Sequence, residues 1–458
     1  MHTATRWKPE DEAFWRAHGQ RVASRNLWLS IPALMLALAV WMLWSVLVVH
    51  LPAAGFRYST NQLFWLAALP ALVGATLRVF YAFAVPIVGG RRWSALATAS
   101  LIAPALGIGL AVQDPQTPYT VMVLLALLCG LGGANFASSM AHISFFYPQA
   151  QKGYALGMNA GLGNLGVPLV QLAVPLVISA GLFGALGGAP QVAPDGAPMW
   201  LQNAGYVWVP LIAASALACW FGMDDLAEAR AGIAEQAVIF ARPHNWWLCW
   251  LHLGTFGSFI GYAAALPLLL RHQFPGTDTM PWVWLGPLAG ALARAFGGWL
   301  ADRVGGARVT LWAFGAMTAG VLAVRACLPG TAPATAGELA GFLAASLLWF
   351  VAAGVGNGST FRMIPVVFVA ERLRAARGRG APAQEQAVRE GNTEAAAALG
   401  FASAVGALGG FVIPKAFGSS IALTGRPAGA LMLFVGFYLS CIAITWWHYG
   451  RRFAPARC

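Results

Sequence analysis

Two arginines lie in the middle of long apolar stretches of the chain. Arg78 precedes Gly89 by eleven residues, and Arg294 precedes Gly305 by the same distance. Along a helix this separation is roughly 16 Å, about half the thickness of a bilayer core. A guanidinium is planar, always charged, and can bind a planar oxyanion through two N–H groups. The spacing therefore predicts a cationic anion site at mid-membrane depth.

Each arginine could instead pair with a buried carboxylate. The chain has 16 acidic residues, and none of them falls near the middle of a predicted span. A charge inside a membrane normally has a partner, so a bound anion becomes the natural one. Two arginines alone do not select one small anion over another.

Glycine is concentrated in two later stretches, 159–166 and 400–410. Close packing of membrane helices through small residues is one explanation. The other is that these glycines let the helices slide or bend between conformations. The candidate conformational glycines are Gly161, Gly163, Gly166, Gly406, Gly409 and Gly410. Asn164, within the first stretch, could donate its side-chain amide to the anion.

These residues belong to a chain built of long apolar runs. Of 458 residues, 59% are hydrophobic and 10% are charged, whereas soluble domains carry about 25% charged residues. Apolar runs of this kind predict membrane helices, because the backbone must satisfy its own hydrogen bonds in lipid. We predict twelve spans, at 27–50, 62–88, 93–112, 119–146, 153–184, 203–223, 245–270, 281–301, 308–328, 337–370, 392–421 and 426–449.

The distribution of lysine and arginine predicts the orientation, since cytoplasmic loops are enriched in both. One side of the predicted spans carries 20 of these residues, and the other carries 4. Both termini are therefore predicted to be cytoplasmic. Two long loops, 224–244 and 371–391, fall on the same side, and the second is predicted to be a mobile, solvated charge run. Topology thus explains the net charge of +12 without a nucleic-acid partner.

The predicted domains are a cytoplasmic segment 1–26, a six-helix bundle 27–223, a linker 224–244, a second bundle 245–450 and a tail 451–458. An internal repeat with an offset of 216 residues supports two halves. Arg78, Phe80, Val88, Gly89, Gly90 and Arg92 recur as Arg294, Phe296, Val304, Gly305, Gly306 and Arg308. In addition, Gly-Ala-Asn-Phe at 133–136 resembles Gly-Ser-Thr-Phe at 358–361. Such repeats predict a substrate site between the halves, near the midplane.

Other classes of site find no support in the sequence. The six cysteines form no CxxC or Cys/His cluster, so neither a disulfide framework nor a metal site is predicted. The polar residues 1–26 do not have the pattern of a cleavable signal peptide. We find no nucleophile–base pair or phosphate loop, so no enzyme activity and no cofactor are predicted.

The segment 297–308 resembles the signature loop of the major facilitator superfamily. The two glycine stretches, together with the phrases at 78–86, 133–140, 254–261 and 410–418, resemble the nitrate/nitrite porter family, especially its bacterial exchanger branch. The resemblance covers essentially all predicted spans. It implies an all-α fold of twelve helices in two pseudo-symmetric bundles, working as a monomer in the bacterial inner membrane.

The resemblance also implies residue roles. Arg78 and Arg294 would clamp the nitrate or nitrite anion, and Phe136 and Phe256 would form aromatic walls on either side of it. The chain departs from the family pattern at four positions. His252 stands where a tyrosine is expected, Leu38 where an aromatic is expected, His142 where a small amide is expected, and Arg362 where a neutral residue is expected. In tyrosine's place, His252 could donate a hydrogen bond to the anion.

Two transport mechanisms and one other class remain open on the sequence. Nitrate/nitrite exchange is favoured, because an empty site would leave two unpaired arginines in a low dielectric. Nitrate–proton symport is the alternative, with His252 or His142 carrying the proton. A membrane anion sensor built on the same fold is less favoured, since no attached soluble domain is evident.

Overall fold

The structure, a computed structural model, describes residues 3–4, 7–193, 196–226, 238–330, 334–451, 454 and 458. The chain divides into two compact units. The first unit is Met1–Ala231 with Ala263–Trp284, and the second is Gly232–Tyr262 with Leu285–Cys458. Residues 263–284, predicted to belong to the second bundle, thus group with the first unit.

The first unit is built mainly of α-helices. They are α1 Glu12–Phe14, α2 Gln20–His50, α3 Thr60–Val88, α4 Gly90–Ala99, α5 Ile102–Ala111, α6 Tyr119–Phe146, α7 Gln149–Gly163, α8 Gly166–Val177, α9 Asn203–Tyr206 and α10 Trp208–Gly222. Two short strand pairs also occur in the described part of the unit. They are β1 Thr3–Ala4, which is parallel to β4 Asp225–Leu226, and β2 Gln191–Val192, which is antiparallel to β3 Pro198–Met199.

The second unit begins its helices with α11 Pro243–His252, which a π-helix at Leu253–Gly257 joins to α12 Ser258–Gln273. Only residues 258–262 of α12 belong to this unit, and the rest of α12 belongs to the first unit. The helices that follow are α13 Leu285–Val304, α14 Gly306–Ala326, α15 Ala336–Ala375, α16 Ala381–Ala407, α17 Gly409–Thr424 and α18 Ala428–Thr445. A π-helix at Trp446–Gly450 follows α18.

Among the described residues, eleven helical stretches are long and apolar enough to cross a membrane. Each corresponds to one predicted span, and α13 corresponds to the remaining one. The 20 residues of α13 would also be long enough, but this helix carries the charged residues Arg294, Asp302 and Arg303. The helical class is therefore confirmed, while the count of twelve spans stays a prediction.

The prediction of a mobile loop at 371–391 is wrong. Helix α15 continues to Ala375 and α16 begins at Ala381, so only residues 376–380 separate them. Some of the charges in this region are paired across helices. Arg372 forms ion pairs with Glu390 at 3.2 Å and with Glu394.

Arg242, just before α11, extends this ion-pair network. Its guanidinium lies 3.0 Å from Glu394 and 3.8 Å from Glu371. The pairs of Arg372 join the last turn of α15 to the third and fourth turns of α16. The network thus ties the three helices together.

The first predicted linker, 224–244, lies partly outside the described residues, which omit 227–237. The part that is described is anchored rather than loose. Asp224 is buried and accepts hydrogen bonds from Arg25 and Asn26 at 2.6 and 2.8 Å. Four arginines counted in the charge argument also lie outside the described residues: Arg6, Arg230, Arg452 and Arg457.

The internal repeat reappears as repeated backbone geometry. Gly89 ends α3 with φ +97° and ψ +141°, and Gly305 follows α13 with φ +101° and ψ +135°. A new helix begins at the next residue in both cases. Because a side chain is strained at such positive φ values, glycine permits this helix–turn–helix junction.

Candidate functional site

Arg78 lies inside the first unit, on α3, with only 1% of its surface exposed. Its Nε donates a hydrogen bond to the Gly133 carbonyl at 2.9 Å. The guanidinium carbon lies 4.8 Å from the Phe136 ring centre and 5.3 Å from the Trp41 ring. The cation is therefore held against aromatic faces, which attract it through the ring quadrupole.

Glycines on the neighbouring helices make room for this arrangement. A Cβ at Gly133 would lie 2.6 Å from the Trp41 ring, and one at Gly74 would lie 2.8 Å from the Trp41 Nε1. That Nε1 donates to the Pro70 carbonyl at 3.0 Å, which fixes the ring. The glycines on α3 and α6 thus let the Trp41 ring of α2 approach Arg78.

Arg294 occupies the corresponding position on α13 in the second unit. Its guanidinium carbon lies 5.1 Å from the Phe361 ring centre. The Nη1 atom is buried and has no hydrogen-bond partner among the described residues. Within the part of the chain that the structure describes, Arg294 also forms no ion pair.

The same motif supplies the ring beneath each arginine. Phe136 ends the phrase 133–136, and Phe361 ends its repeat 358–361. Gly358 opens the second phrase, and a Cβ there would lie 2.1 Å from the Arg294 carbonyl oxygen. Sequence reasoning missed Phe361, although the repeat of the four-residue phrase was the signal that could have found it.

Phe256, predicted as the second aromatic wall, lies in the π-helix between α11 and α12. Its ring stacks on the His252 ring at 5.5 Å with an interplanar angle of 27°. His252 is also 6.3 Å from the Phe361 ring that contacts Arg294. Within the second unit, the structure therefore links Arg294, Phe361, His252 and Phe256 in one continuous cluster. π-Helical turns inside α-helices are frequent at functional sites.

His252 is also linked to two threonine hydroxyls. The Nδ1 atom lies 3.3 Å from the Thr360 hydroxyl, which in turn lies 3.0 Å from the Thr255 hydroxyl. A Cβ at Gly406 would lie 2.9 Å from the His252 ring and 3.0 Å from the Phe256 ring. Neither threonine was singled out from the sequence, because a threonine in an apolar span carries no distinctive pattern.

The predicted conformational glycines lie at breaks in both long helices. Helix α7 ends at Gly163 and α8 begins at Gly166, while α16 ends at Ala407 and α17 begins at Gly409. Gly166 and Gly409 pack directly against backbone, with a Cβ expected 2.0 Å from the Met35 carbonyl oxygen and 2.3 Å from the Gly257 Cα. Close packing and a helix break therefore coincide.

The other members of the glycine group differ in their surroundings. A Cβ at Gly163 would lie 2.6 Å from Leu34, whereas Gly161 has open space beside it. Gly410 is buried in the first turn of α17. Asn164 is buried at the α7 break, and its Oδ1 has no hydrogen-bond partner among the described residues. Its role toward an anion stays a prediction.

Three other residues depart from the family pattern. Arg362 pairs with Asp302, and both side chains are about half exposed. His142 is buried, with Nε2 3.4 Å from the Asn26 Oδ1. Leu38 is fully buried in α2.

No group of three or more His, Cys, Asp and Glu side chains that could hold a metal ion occurs within the described ranges. The chemistry that the two arginine clusters can offer is thus charge and hydrogen bonds next to flat aromatic surfaces. Such a combination suits a small anion with a planar face.

Comparison with known proteins places this arrangement in a family. Residues 29–414 match the model of the Major Facilitator Superfamily. The chain is 50% identical to the nitrate/nitrite transporter NarU of Salmonella typhimurium strain LT2, over 97% of this chain and 96% of that one. It is 38% identical to a probable nitrate/nitrite antiporter, NarK2, of Thermus thermophilus, over 99% and 98% of the two chains.

A solved structure supports the fold alone. The chain is similar to a bacterial homolog of the human lysosomal transporter Spinster in an inward-facing and occupied conformation, with a TM-score of 0.60 and 14% identity. The similarity covers 91% of this chain and 95% of that one. Taken with the near-full-length relatives, these matches show that the chain belongs to the nitrate/nitrite porter family of the major facilitator superfamily.

Proposed function

We propose that this protein is a secondary transporter that carries nitrate and nitrite across the membrane by alternating access. The relatives named nitrate/nitrite transporters, which match nearly the whole chain, support the substrate. Arg78 and Arg294 bind the anion, and the rings of Phe136 and Phe256 flank it. Asn164 adds an amide donor, and the glycine breaks permit the change of conformation.

The observation that carries this proposal is the Arg294 guanidinium. Its Nη1 is buried without a hydrogen-bond partner, and no carboxylate pairs with it among the described residues. A buried charged donor that lacks an acceptor costs several kcal/mol of stability, so the described protein groups alone do not satisfy Arg294. A bound oxyanion supplies both the missing charge and the missing acceptor.

The same observation favours exchange of nitrate for nitrite. Without an anion, the transporter must change conformation with an unsatisfied Arg294 in a low dielectric, which raises the barrier for the empty carrier. With an anion bound, that barrier falls. The loaded carrier therefore moves readily in both directions, and net uptake requires an anion on the opposite side.

Nitrate–proton symport is the second candidate, and the position of His252 favours it. This buried imidazole contacts Phe256 and Phe361, the latter being the ring beneath Arg294. Histidine titrates near physiological pH, so it can bring a proton with the anion. His142 is a weaker candidate because its described contacts are with Asn26 and Phe146.

Counterflow in proteoliposomes tests these proposals. Labelled nitrate is supplied outside, with nitrite, nitrate or no anion inside, and without a pH gradient. We expect uptake only when an internal anion is present. Equal uptake into anion-free vesicles would exclude obligate exchange, and the absence of uptake under every condition would exclude nitrate transport.

Orientation and assembly form a further part of the proposal. The excess of basic residues on one side of the spans supports cytoplasmic termini in a bacterial inner membrane. The domains are the two bundles 27–223 and 245–450, flanked by the segment 1–26, the linker 224–244 and the tail 451–458. The transporter works as a monomer in the bilayer.

A further inference from the structure

We propose that the first unit binds an anionic phospholipid in a groove on its surface. The groove lies between α2, α8 and α10. One acyl chain occupies it, and Arg21 and Arg25 hold the phosphate of the headgroup. The inference goes beyond the proposed function, because it concerns the side of the protein that meets the bilayer and does not depend on the anion that is carried.

The groove has an apolar lining and a volume of about 530 Å³. All of its lining residues belong to the first unit. Among them, only Trp208 and Ser215 have a nitrogen or oxygen atom in the side chain. Such a lining favours a hydrocarbon chain over a polar solute, because burial of apolar surface drives the association.

Helix α10 presents the open side of the groove. Ala214 and Ala218 lie one turn apart and are exposed, and Leu211 beside them is 48% exposed. In the span 203–222, which contains α10, 33% of the most apolar window is buried, the lowest share among the candidate spans of the described residues. A face of this kind on a membrane-spanning helix meets the acyl chains of the bilayer.

The length of the groove matches one leaflet. Its lining runs from Val207, just before α10, to Ala218. At 1.5 Å per residue these eleven steps are roughly 16 Å along the helix. The hydrocarbon core of a bilayer is about 30 Å thick, so one leaflet contributes about 15 Å. The groove therefore has the reach of one acyl chain.

The volume decides between an acyl chain and a helix of a second copy. A helix about 10 Å wide and about 16 Å long occupies roughly 1,250 Å³, more than twice the volume of the groove. Such a helix would lie over the groove and leave it unfilled. A single acyl chain is slender enough to enter, which favours lipid as the occupant.

Two arginines precede the groove on the same face of α2. Steps of four, four, three and four residues separate Arg21, Arg25, Leu29, Pro32 and Leu36. Residues at these intervals share one face of a helix, and the last three line the groove. Arg25 and Arg21 lie roughly 6 and 12 Å before Leu29 along the helix, at the level of the lipid headgroups.

Both guanidinium groups can donate to a phosphate. Arg21 is exposed and forms no ion pair within the described ranges. The Arg25 side chain is 48% exposed and pairs with Asp224 through Nη2, which leaves it further N–H donors. Arg21 is therefore the main charge partner of the phosphate. A zwitterionic headgroup would bring a second cation towards the same arginines, so an anionic lipid is preferred.

Photolabelling of the purified full-length protein in nanodiscs tests the inference. The nanodiscs contain phosphatidylcholine and a small fraction of phosphatidylglycerol that carries a diazirine near the end of one acyl chain. We expect the label to be concentrated in residues 29–36 and 207–218. The same photoreactive chain on phosphatidylcholine should label these segments about fivefold less, because one arginine near the surface favours an anionic lipid by about that factor.

Two results of this measurement would overturn the inference. One is label that is spread evenly over all exposed spans, which would show that no chain is held in the groove. The other is equal labelling by the two lipids, which would show that the arginines do not select an anionic headgroup. Neither result would bear on nitrate transport, which the counterflow experiment tests separately.

Variants with matched controls separate the headgroup from the chain. Arg21→Gln should lower labelling by phosphatidylglycerol about fivefold. Arg16→Gln, which changes an exposed arginine in the preceding π-helix Trp15–Gly19, should not. Ala218→Phe fills the groove and should remove the label from both segments. Leu217→Phe should leave the label in place, since Leu217 is exposed but does not line the groove. Wild-type labelling in Arg21→Gln or Ala218→Phe would contradict the inference.

The oligomeric state tests the other occupant directly. The mass of the wild type and of Ala218→Phe is measured in detergent, with nitrate binding as a check that the variant is folded. We expect the same monomer mass for both. A wild-type dimer that Ala218→Phe converts to a monomer would show that a second copy covers the groove, and it would overturn the lipid site.

Discussion

The arginine clusters of the two units have the same plan but differ in the contacts that hold the cation. Arg78 is almost fully buried, donates to the Gly133 carbonyl and lies between Phe136 and Trp41. Arg294 lies over the Phe361 ring with a buried Nη1 that has no described partner. The repeat thus conserves a cation on an aromatic face, while the surroundings of each cation have diverged.

The residues next to the Phe136 and Phe361 rings also differ between the two units. In the first unit, Trp41 provides a second aromatic face, and its indole is fixed to Pro70. In the second unit, a titratable His252 contacts Phe361 and is held by Thr360. The first cluster therefore holds its cation against two aromatic rings, and the second holds it over one ring that also contacts a histidine.

The largest effect is expected from replacing the arginines. Arg78→Lys and Arg294→Lys should each weaken nitrate binding by about 10- to 150-fold, because lysine cannot make the second charge-assisted hydrogen bond. Arg78→Lys should also lower thermal stability, since it loses the hydrogen bond to Gly133. Nitrate titrations and melting curves of both variants measure this, and unchanged affinity in either would remove that arginine from the site.

Alanine at Gly133 and alanine at Gly358 should destabilise the protein by different amounts. A Cβ at Gly358 meets backbone on α13, 2.1 Å from the Arg294 carbonyl, whereas one at Gly133 meets the Trp41 side chain at 2.6 Å. Backbone cannot move aside as a side chain can, so Gly358→Ala should destabilise more than Gly133→Ala, within about 1–3 kcal/mol. The melting temperatures of the two variants measure this difference. Gly161→Ala is the control, because the space beside Gly161 is open.

Replacing the rings beneath the arginines should have an intermediate effect. Phe136→Leu and Phe361→Leu keep an apolar side chain but remove the cation–π contact, which is worth about 0.5–2 kcal/mol. Phe361→Leu should reduce nitrate affinity more, since Arg294 has no second ring comparable to Trp41 in its described contacts. Equal losses in the two variants would show that the clusters are energetically alike.

The smallest effect is expected at the two left-handed turns. Alanine at Gly305 should destabilise by about 1 kcal/mol or more through backbone strain alone. Alanine at Gly89 should destabilise more, because its Cβ would lie 2.7 Å from an Asp225 carboxylate oxygen that accepts from the Arg91 amide. Chemical or thermal denaturation of both variants in detergent measures the difference, and an equal cost would mean that Asp225 moves freely.

Much of the first unit's site could be read from the sequence. Arg78 was expected on a helix that ends near Gly89, and the structure ends α3 at the residue before that glycine. Phe136 was expected from the resemblance alone and does lie against Arg78. These features are local in sequence or repeated in it, which is why a single chain reveals them.

Less of the second unit could be predicted from the sequence, because its contacts join residues that lie far apart in the chain. The segment 371–391 has the composition of a solvated loop, but ion pairs of Arg242, Arg372 and Glu394 hold most of it in helices. Charge pairing across helices cannot be read from the charges of one segment. Tertiary packing alone reveals it.

The sequence by itself determined the helical membrane class and the two-fold repeat, since hydropathy and residue spacing act locally along the chain. Only the tertiary structure decided that Phe361 lies under Arg294 and that Thr360 binds His252. Those contacts depend on which faces of α11, α13 and α15 meet. That choice is made by side-chain packing between helices, which no local pattern records.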